Sequence, residues 1–278
     1  MRKTNRKLNQ LQRKTLALIF FKPSTRTRIS FEVAMYELGG NVTYLSGDEI
    51  QISRGEAAAD TAKVLSRYVH GIVIRTFSHS EALELAQNST IPVINGLTDL
   101  EHPCQILADL FTIYERRKKL EGLKIAFIGD GNNVANSWLL AAPKVKANFV
   151  LACPRGYEPK KEIIFSAMKE AKEKGVSIEI INDPKLAAKS ADVLYTDVWV
   201  SMGQEKDEKA KKLQFSKFQI NKNLLALAKP ECMVMHCLPA HRGEEITADV
   251  IDGKNSVVWE QAENRLHVEK TILSLLIK

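Results

Sequence analysis

The chain has 278 residues, 45% hydrophobic and 26% charged, a composition typical of a globular protein long enough for two domains. Its 40 basic and 33 acidic residues give a net charge of +7, but no basic face or reader motif indicates a nucleic-acid partner. Two interpretations of the positive charge stay open: an ordinary basic surface with a solvated N-terminal tail, and attraction of small anionic substrates. No apolar run reaches membrane-spanning length, and the basic residues 1–14 contain no signal-peptide core. The four cysteines lack CxxC or zinc spacing, which predicts a cytoplasmic protein in a reducing compartment.

Short apolar runs alternate with helical patterns along the first half of the chain. The predicted strands are Thr15–Phe21, Val42–Leu45, Gly71–Arg75 and Pro92–Asn95. After the first strand, apolar side chains recur at i, i+3, i+4 and i+7, the spacing of one helix face: Phe31, Ala34, Met35 and Leu38. Gly39-Gly40 ends that helix. A longer predicted helix, Gln105–Lys119, ends in a charged run and is a natural bridge between two domains.

The second half repeats the alternation. Its predicted strands are Lys124–Ile128, Phe149–Cys153, Ser177–Ile181, Val193–Thr196, Met233–His236 and Val257–Trp259. Alternation of this kind predicts an α/β protein with two doubly wound parallel-sheet domains joined by long helices. Ligands of such folds bind beyond the carboxyl ends of the strands, so the loops at those ends are the candidate sites.

The segment Lys22–Arg28, Lys-Pro-Ser-Thr-Arg-Thr-Arg, joins a predicted strand to a helix. Ser24 or Thr25 can cap the helix, whose first free N–H groups and dipole then attract an anion. Hydroxyl groups and Arg26 add donors suited to a phosphate. A capped helix start with solvated arginines is the structural alternative, but the density of donors favours an anion site. The segment is not a P-loop, because GxxxxGK[ST] is absent.

Two further motifs follow this loop along the chain. In His102-Pro-Cys-Gln105, His102 and Gln105 stand three residues apart at a predicted helix start, so both side chains can reach one ligand. Pro103 suits the first helical turn. The third motif is His-Cys-Leu-Pro-Ala-His-Arg-Gly at 236–243.

The loop at 24–28 resembles the carbamoyl-phosphate loop of the aspartate and ornithine carbamoyltransferases, and the other two motifs are similar to that family's and stand in its order. The resemblance implies carbamoyl transfer from carbamoyl phosphate to the δ-amine of L-ornithine, giving L-citrulline and phosphate in arginine metabolism. It implies no metal or organic cofactor. It also implies a carbamoyl-phosphate-binding domain at 1–115, to which a C-terminal helix at 264–278 returns, and an ornithine-binding domain at 116–263.

The resemblance also assigns roles to residues of the carbamoyl-phosphate site. The implied set is Ser24, Thr25, Arg26, Thr27, Gln51, Arg75, His102, Gln105, Cys237, Leu238 and Arg265. Amine attack produces a tetrahedral oxyanion, which preorganised donors stabilise. The donors implied for that oxygen are Thr27, Arg75, His102 and Gln105, while Arg265 is placed against the phosphate at the opening of the last helical segment. Gln51 is implied to reach into a neighbouring subunit's site, which makes the active unit a homotrimer.

The amine-binding side is carried by Asp197-Val-Trp-Val-Ser-Met-Gly203, which follows a predicted strand and resembles the family's ornithine-binding segment. The implied ornithine-binding residues are Asn133, Asp197, Ser201 and Met202. Asp197 would hold an ammonium group by a charge-assisted hydrogen bond. A lone cysteine such as Cys237 suggests a nucleophile, but direct amine attack needs no acyl-enzyme, so Cys237 is predicted to contact the reacting amine with Asp197. The predicted catalytic residues are Arg75, His102, Asp197 and Cys237.

Three alternatives remain open from the sequence. A nucleotide-dependent dehydrogenase is disfavoured, because Gly129-Asp-Gly-Asn-Asn-Val134 lacks the third glycine and Cys153-Pro-Arg155 offers no ribose-binding acid. The acceptor could be putrescine or an acylated ornithine, although Ser-Met-Gly and Asp197 favour free ornithine. Finally, the family's first helix is reduced to a basic stub before Thr15, which suggests a weakly active homologue or one that retains only carbamoyl-phosphate binding.

Two local departures point in the same direction as the short N-terminus. Pro143 falls inside a helical pattern, where a proline costs roughly 3 kcal/mol or more. At Lys146-Ala147 the family often has a glycine in the turn. The helix end therefore lacks the residue that most readily adopts the left-handed conformation of a helix C-terminus. Both features predict reduced stability.

Overall fold

A computed structural model describes residues 9–201 and 208–278 of the chain. The chain divides into two compact units. The first runs to Ala108 and includes Glu263–Lys278, and the second is Asp109–Ala262. Among the described residues, no helix is both long and apolar enough to cross a membrane.

The first unit is built on a four-stranded sheet in which every pair of neighbouring strands is parallel. Its strands are β1 (Thr15–Phe20), β2 (Asn41–Ser46), β3 (Gly71–Arg75) and β4 (Val93–Leu97). They lie in the order β2-β1-β3-β4. In β1, Leu16, Leu18 and Phe20 pack into one apolar cluster while Ala17 and Ile19 pack into another. A central strand covered on both faces explains why its sequence is a continuous apolar run.

Helices cover both faces of this sheet. They are α1 (Thr25–Glu37), α2 (Ala58–Tyr68), α3 (His79–Asn88), the beginning of α4 (Pro103–Arg117) and the end of α11 (Val258–Leu276). The predicted apolar face of α1 is confirmed, because Phe31, Ala34, Met35 and the C-cap residue Leu38 are all buried. The chain leaves α1 through Gly39, whose φ of 85° is accessible to glycine without strain.

The second unit contains a five-stranded parallel sheet in the order β7-β6-β5-β8-β9. Its strands are β5 (Lys124–Ile128), β6 (Asn148–Ala152), β7 (Ile178–Ile181), β8 (Val193–Thr196) and β9 (Met233–His236). Its helices are the end of α4, then α5 (Asn133–Ala141), α6 (Lys161–Lys174), α7 (Pro184–Ala188), α8 (Glu208–Phe215), α9 (Lys222–Leu225), α10 (Ala248–Ile251) and the beginning of α11 (Val258–Leu276). The predicted α/β class with two parallel sheets is confirmed.

The predicted strand Val257–Trp259 is wrong, because α11 begins at Val258. Only the preceding residues approach the sheet: Ser256 forms an isolated bridge with Val234, and the Val257 N–H donates to the Val234 carbonyl. A short buried apolar run has no periodicity that separates a strand from the first turn of a helix. Arg265 consequently lies inside α11 rather than at its opening.

The expected cost of Pro143 is also corrected. Helix α5 ends at Ala141, and Pro143 begins a separate 3-10 turn, Pro143–Val145, where its missing N–H costs little. Lys146 itself adopts the left-handed conformation, with φ of 54°, and its N–H donates to the Pro143 carbonyl. The turn is therefore formed without a glycine.

Each sheet has one point where the strand order reverses, between β1 and β3 in the first unit and between β5 and β8 in the second. Crevices at the carboxyl ends of such strands are where ligands bind in open parallel sheets. Lys22–Arg28 follows β1 and Arg75 ends β3, whereas Gly129–Asn133 follows β5 and Asp197 follows β8. The chemically distinctive segments of each unit thus lie at its own switch point.

Candidate active site

The loop after β1 forms the start of α1. Ser24 is the N-cap, with an extended φ of −159°, and its Oγ accepts a hydrogen bond from the Thr27 N–H at 3.2 Å. Thr25 is exposed, Arg26 is half-buried, and Thr27 is buried. One of the first N–H groups of α1 is satisfied by the cap, and the helix dipole still makes this end positive. The loop therefore presents the positive end of a capped helix.

Arg28, in the same motif, has a different environment. Its Nε donates to Oε1 of Glu32 at 2.8 Å, one turn along α1, and its guanidinium lies 3.7 Å from the centre of the Tyr44 ring. Both partners lie outside the loop. The two arginines of Ser-Thr-Arg-Thr-Arg are thus distinguished by structure, although the sequence presents them alike.

Arg75 and His102 are buried charged and polar side chains at the same end of the first sheet. Arg75 is the last residue of β3, and His102 immediately precedes α4, where its carbonyl accepts from the Gln105 N–H at 3.1 Å. Burial lowers the pKa of His102 well below its ordinary value of 6.5, and the nearby Arg265, Arg75 and Arg26 lower it further. The imidazole is therefore neutral at physiological pH and offers one donor and one acceptor.

Arg265 joins two of the predicted site residues inside the first unit. Its Nη1 donates to Oε1 of Gln105 at 2.8 Å, and its Nη2 donates to Oγ1 of Thr27 at 3.2 Å. Its Nε and Nη2 both donate to Oε1 of Glu269, at 3.0 and 2.7 Å. All four side chains are buried. Burial raises the pKa of Glu269, while Arg265 and the Ser30 side chain act in the opposite direction.

In the second unit, the Asp197 carboxylate is fixed by three donors. Its Oδ2 accepts from Nδ2 of Asn132 at 2.8 Å, and its Oδ1 accepts from the Val198 N–H at 2.8 Å and from the Cys237 thiol at 2.9 Å. Asn132 also caps α5, because its Oδ1 accepts from the N–H groups of Val134 and Ala135. One asparagine therefore orients both the helix and the carboxylate.

Cys237 and Leu238 follow β9 in a turn held by buried polar groups. Nδ1 of His236 accepts from the Leu238 N–H at 2.9 Å, and its Nε2 lies 3.0 Å from Oε1 of Glu245. The same glutamate oxygen accepts from the His241 N–H at 2.6 Å. Because Nδ1 accepts, the proton of the neutral ring lies on Nε2 and is donated to Glu245. The imidazole thereby fixes the backbone that presents Cys237.

A second buried chain of hydrogen bonds supports the same strand end. The Gln261 Oε1 accepts from the His236 N–H at 3.0 Å, and the Gln261 Nε2 donates to Oδ1 of Asp109 at 2.8 Å. Nε2 also lies 3.2 Å from the hydroxyl of Tyr195. Burial raises the pKa of Tyr195 well above its ordinary value, and the nearby Asp109, Cys237 and Asp197 raise it further. This tyrosine is therefore a neutral hydrogen-bonding group.

Two sets of possible metal ligands occur among the described residues, each with ligand atoms within 4.8 Å of one another: Asp197, His236 and Cys237, and His241, Glu244 and Glu245. The first set lies beside the predicted site residues. Both ring nitrogens of His236 are engaged, by the Leu238 N–H and by Glu245. The carboxylate of Asp197 is likewise held by hydrogen-bond donors. A metal at this position would have to displace these bonds, so the set is arranged for hydrogen bonding.

Comparison with known proteins places this geometry in a family. The model of the aspartate/ornithine carbamoyltransferase carbamoyl-P binding domain matches residues 1–115, and the model of the Asp/Orn binding domain of the same family matches residues 121–276. The chain belongs to the aspartate/ornithine carbamoyltransferase family. It is 55% identical to the anabolic ornithine carbamoyltransferase of Pyrococcus furiosus, over 96% of this chain and 85% of that protein. It is 58% identical to the ornithine carbamoyltransferase of Syntrophus aciditrophicus, over 96% and 87%.

Solved structures of the carbamoyltransferase family show the same fold. The ornithine carbamoyltransferase structure from Pyrococcus furiosus superposes with a TM-score of 0.94 at 55% identity, covering 97% of this chain and 86% of that chain. The structure of the anabolic ornithine carbamoyltransferase from Campylobacter jejuni superposes with a TM-score of 0.92 at 44% identity, covering 97% and 89%.

The remaining residues predicted from the resemblance lie outside the hydrogen-bonded sets described above. Gln51 is exposed in the 3-10 turn Gln51–Arg54 and lines a groove of about 230 Å³ with Leu45, Ile50 and Val64. Asn133 is the first residue of α5, and its neighbour Asn132 holds Asp197. Ser201 is half-buried after β8. Met202 lies outside the described residues.

Sequence reasoning missed several residues that support the site. They are Asn132, His236, Glu245, Gln261, Asp109 and Glu269. Three of them carry a signal that the sequence displays: His236 opens the third motif, Asn132 stands where a helix can be capped, and Glu269 stands one helical turn after Arg265. Asp109 and Gln261 are 152 residues apart, and no local pattern connects them.

Proposed function

We propose that this chain catalyses carbamoyl transfer from carbamoyl phosphate to the δ-amine of L-ornithine, giving L-citrulline and phosphate. The observation that carries the choice of acceptor is the buried Asp197 carboxylate, whose oxygens are fixed by Asn132, Val198 and Cys237 and are suited to an ammonium or amine. Relatives at 55% and 58% identity are named ornithine carbamoyltransferases. The domain at 1–115, with the helix at 264–278, is assigned to carbamoyl phosphate, and the domain at 116–263 to ornithine.

The first unit supplies hydrogen-bond donors to carbamoyl phosphate. Ser24, Thr25, Arg26 and Thr27 at the start of α1 bind the phosphate, where the helix dipole adds positive potential. Arg75, His102 and Gln105 address the carbonyl oxygen, which becomes the oxyanion of the tetrahedral intermediate. A neutral His102 can donate one N–H to that oxygen without adding a fourth positive charge to the three nearby arginines.

The second unit holds the amine. The δ-amine resembles that of lysine, so it is protonated in water and must become neutral before it attacks. Removal of the ammonium from water lowers its pKa. Asp197 and Cys237 orient the amine, whereas Asn133, Ser201 and Met202 address the α-amino and carboxylate groups. Attack forms the C–N bond, breaks the C–O bond to phosphate, and leaves the phosphate to accept the remaining amine proton.

The biosynthetic direction and a cytoplasmic location complete the proposal. Relatives from Pyrococcus furiosus and Campylobacter jejuni are named anabolic, which supports a role in arginine biosynthesis. All four cysteines are free thiols in the described part of the chain, as a reducing compartment requires.

The active unit is proposed to be a homotrimer in which Gln51 acts in the neighbouring subunit's site. Support comes from the exposure of Gln51 on the turn that follows β2. Mixing subunits of Gln51→Ala with subunits of Arg26→Ala tests the arrangement. If the two residues serve one site from different subunits, random hybrid trimers regain about a quarter of native sites. If both residues serve a site from one chain, no mixture regains activity.

The reaction itself is tested by citrulline formation from carbamoyl phosphate and ornithine. Arg26→Ala should raise the KM for carbamoyl phosphate roughly 10- to 100-fold, the effect of losing a charge-assisted hydrogen bond. Arg28→Ala is the matched control, because Arg28 is turned toward Glu32 and Tyr44, and its rates should stay near those of the wild type. Putrescine and N-acetylornithine are assayed in parallel. A folded protein that uses one of these amines and not ornithine would overturn the assigned acceptor.

A further inference from the structure

Arg265 directs most of its N–H groups at protein oxygens. The guanidinium has five N–H groups and cannot accept a hydrogen bond. Within the part of the chain that the structure describes, one N–H faces Gln105, one faces Thr27 and two face Glu269. At most one N–H is therefore left for a bound anion. Arg265 is placed to organise its neighbours as well as to attract the phosphate.

The two neutral neighbours are polarised by this arrangement. Oε1 of Gln105 lies 2.8 Å from Nη1 and must be the acceptor, so the two N–H hydrogens of its amide point away from Arg265. Oγ1 of Thr27 accepts from Nη2 at 3.2 Å, so its hydroxyl hydrogen also points away. A glutamine and a threonine, either of which could present an acceptor, are thus turned into donors. An anion site requires donors.

Glu269 holds the guanidinium in the orientation that produces this effect. It lies one turn beyond Arg265 in α11, and one carboxylate oxygen accepts from both Nε and Nη2. Its side chain is fully buried, as is that of Arg265 apart from a 4% exposed fraction. A carboxylate beside an anion site repels the anion by simple electrostatics, so its presence there calls for a compensating role.

We propose that Glu269 is a positioning residue for the carbamoyl-phosphate site: it fixes Arg265 so that Gln105 and Thr27 face the bound phosphate and carbamoyl group as hydrogen-bond donors. The inference rests on the proposed function and deepens it. A positioning role for Glu269 can be distinguished from simple electrostatic repulsion of the anion by its carboxylate, because the two predict opposite effects of removing the charge. Positioning predicts weaker anion binding when Glu269 loses its charge, whereas removal of a repelling carboxylate alone predicts tighter binding.

The test compares Glu269→Gln with the wild type in steady-state kinetics and in binding of inorganic phosphate measured by calorimetry. Positioning predicts that the KM for carbamoyl phosphate rises about tenfold and that phosphate binds correspondingly more weakly, with the KM for ornithine unchanged. Glu37→Gln is the matched control, since Glu37 pairs with Lys270 at 2.7 Å, the residue next to Glu269; its KM values should not move. Unchanged or tighter anion binding in Glu269→Gln overturns the proposal.

A double-mutant cycle identifies the route of the effect. Gln105→Leu should cost much less affinity for phosphate in the Glu269→Gln background than in the wild type, because the amide is no longer oriented. Additive effects would show that Glu269 does not act through Gln105. If Glu269→Gln does not fold, Glu269→Asp takes its place, because the shorter side chain keeps the charge but moves the carboxylate away from Arg265. The same kinetic and calorimetric comparisons with the wild type then apply. A wild type that binds phosphate but makes no citrulline refutes the proposed function alone, because the calorimetric comparison still decides the role of Glu269.

Discussion

The buried ion pair between Asp130 and Lys211 provides a quantitative test of how the second unit holds its strand ends. Nζ of Lys211, in α8, lies 2.7 Å from Oδ2 of Asp130, which follows β5. The two side chains are only 9% and 10% exposed. Lys211→Met leaves a buried carboxylate without the ammonium that faces it. We expect the free energy of unfolding to fall by about 3–5 kcal/mol.

The intact pair is nevertheless expected to contribute little net stability. Charges 2.7 Å apart attract by about 6 kcal/mol at an effective dielectric constant of about 20. Burial raises the pKa of Asp130 even though the charge and hydrogen bond of Lys211 act to lower it. Since the net shift is upward, desolvation of the carboxylate and the negative charge of Asp197 together outweigh the attraction to Lys211. Replacing both groups, as Asp130→Asn with Lys211→Met, should therefore change the free energy of unfolding by no more than about 1 kcal/mol.

Urea denaturation followed by circular dichroism, at one fixed protein concentration, measures the two single variants and the double variant. Lys212→Met is the matched control, because the neighbouring Lys212 pairs with Glu208 and Glu244 on the surface and should cost far less. A double variant as unstable as the sum of the single variants would refute the reasoning, since it would mean that the two charges do not compensate each other.

Three further predictions concern the site and its support. Asp197→Asn should raise the KM for ornithine roughly 10- to 100-fold in initial-rate assays and leave the KM for carbamoyl phosphate unchanged. Because the pKa of His102 is lowered in the folded state, the unfolded chain takes up a proton below about pH 6.5 while the folded chain does not. The free energy of unfolding should therefore fall by up to about 1.4 kcal/mol per pH unit on acidification. In pH-dependent denaturation, His102→Gln should lose this contribution to the slope. Gly131→Ala would place Cβ 2.4 Å from the Tyr157 carbonyl oxygen and should lower the free energy of unfolding by about 1–3 kcal/mol in the same assay.

The two parallel sheets could be predicted from the sequence because their central strands are buried on both faces. Such strands appear as short, continuous apolar runs separated by helical patterns, and Gly71–Arg75 and Val193–Thr196 were predicted with the observed bounds. The same rule failed at Val257–Trp259, where the apolar run is the buried first turn of α11. Length and composition do not distinguish these two cases; only the position of the run in the tertiary structure does.

The candidate site divides in the same way. A strand-end loop rich in donors can be recognised locally, which is why Ser24–Thr27 is predicted from the residues themselves, whereas Asp197 is predicted from the resemblance of its segment to the family. The groups that orient them could not be, because their contacts join distant segments: Gln261 joins α11 to the end of β9 and to Asp109 in α4. Asn132 caps α5 locally, and its second role on Asp197 appears only when β5 and β8 are adjacent.

The loop after β5 shows why a glycine-rich start does not make a dinucleotide site. In such a site the free N–H groups of the following helix receive a pyrophosphate. Here Oδ1 of Asn132 accepts from the N–H groups of both Val134 and Ala135, so the first turn of α5 is already satisfied by its own cap. The Asp197 carboxylate, whose Oδ2 lies 2.8 Å from the Asn132 side chain, would repel a phosphate at this position. The first unit has a different environment at its switch point: three arginines lie near His102, and the start of α1 is capped by the single hydroxyl of Ser24. Two sheets with the same kind of switch point therefore differ in their charged groups, with arginines around His102 at the first and the Asp197 carboxylate at the second.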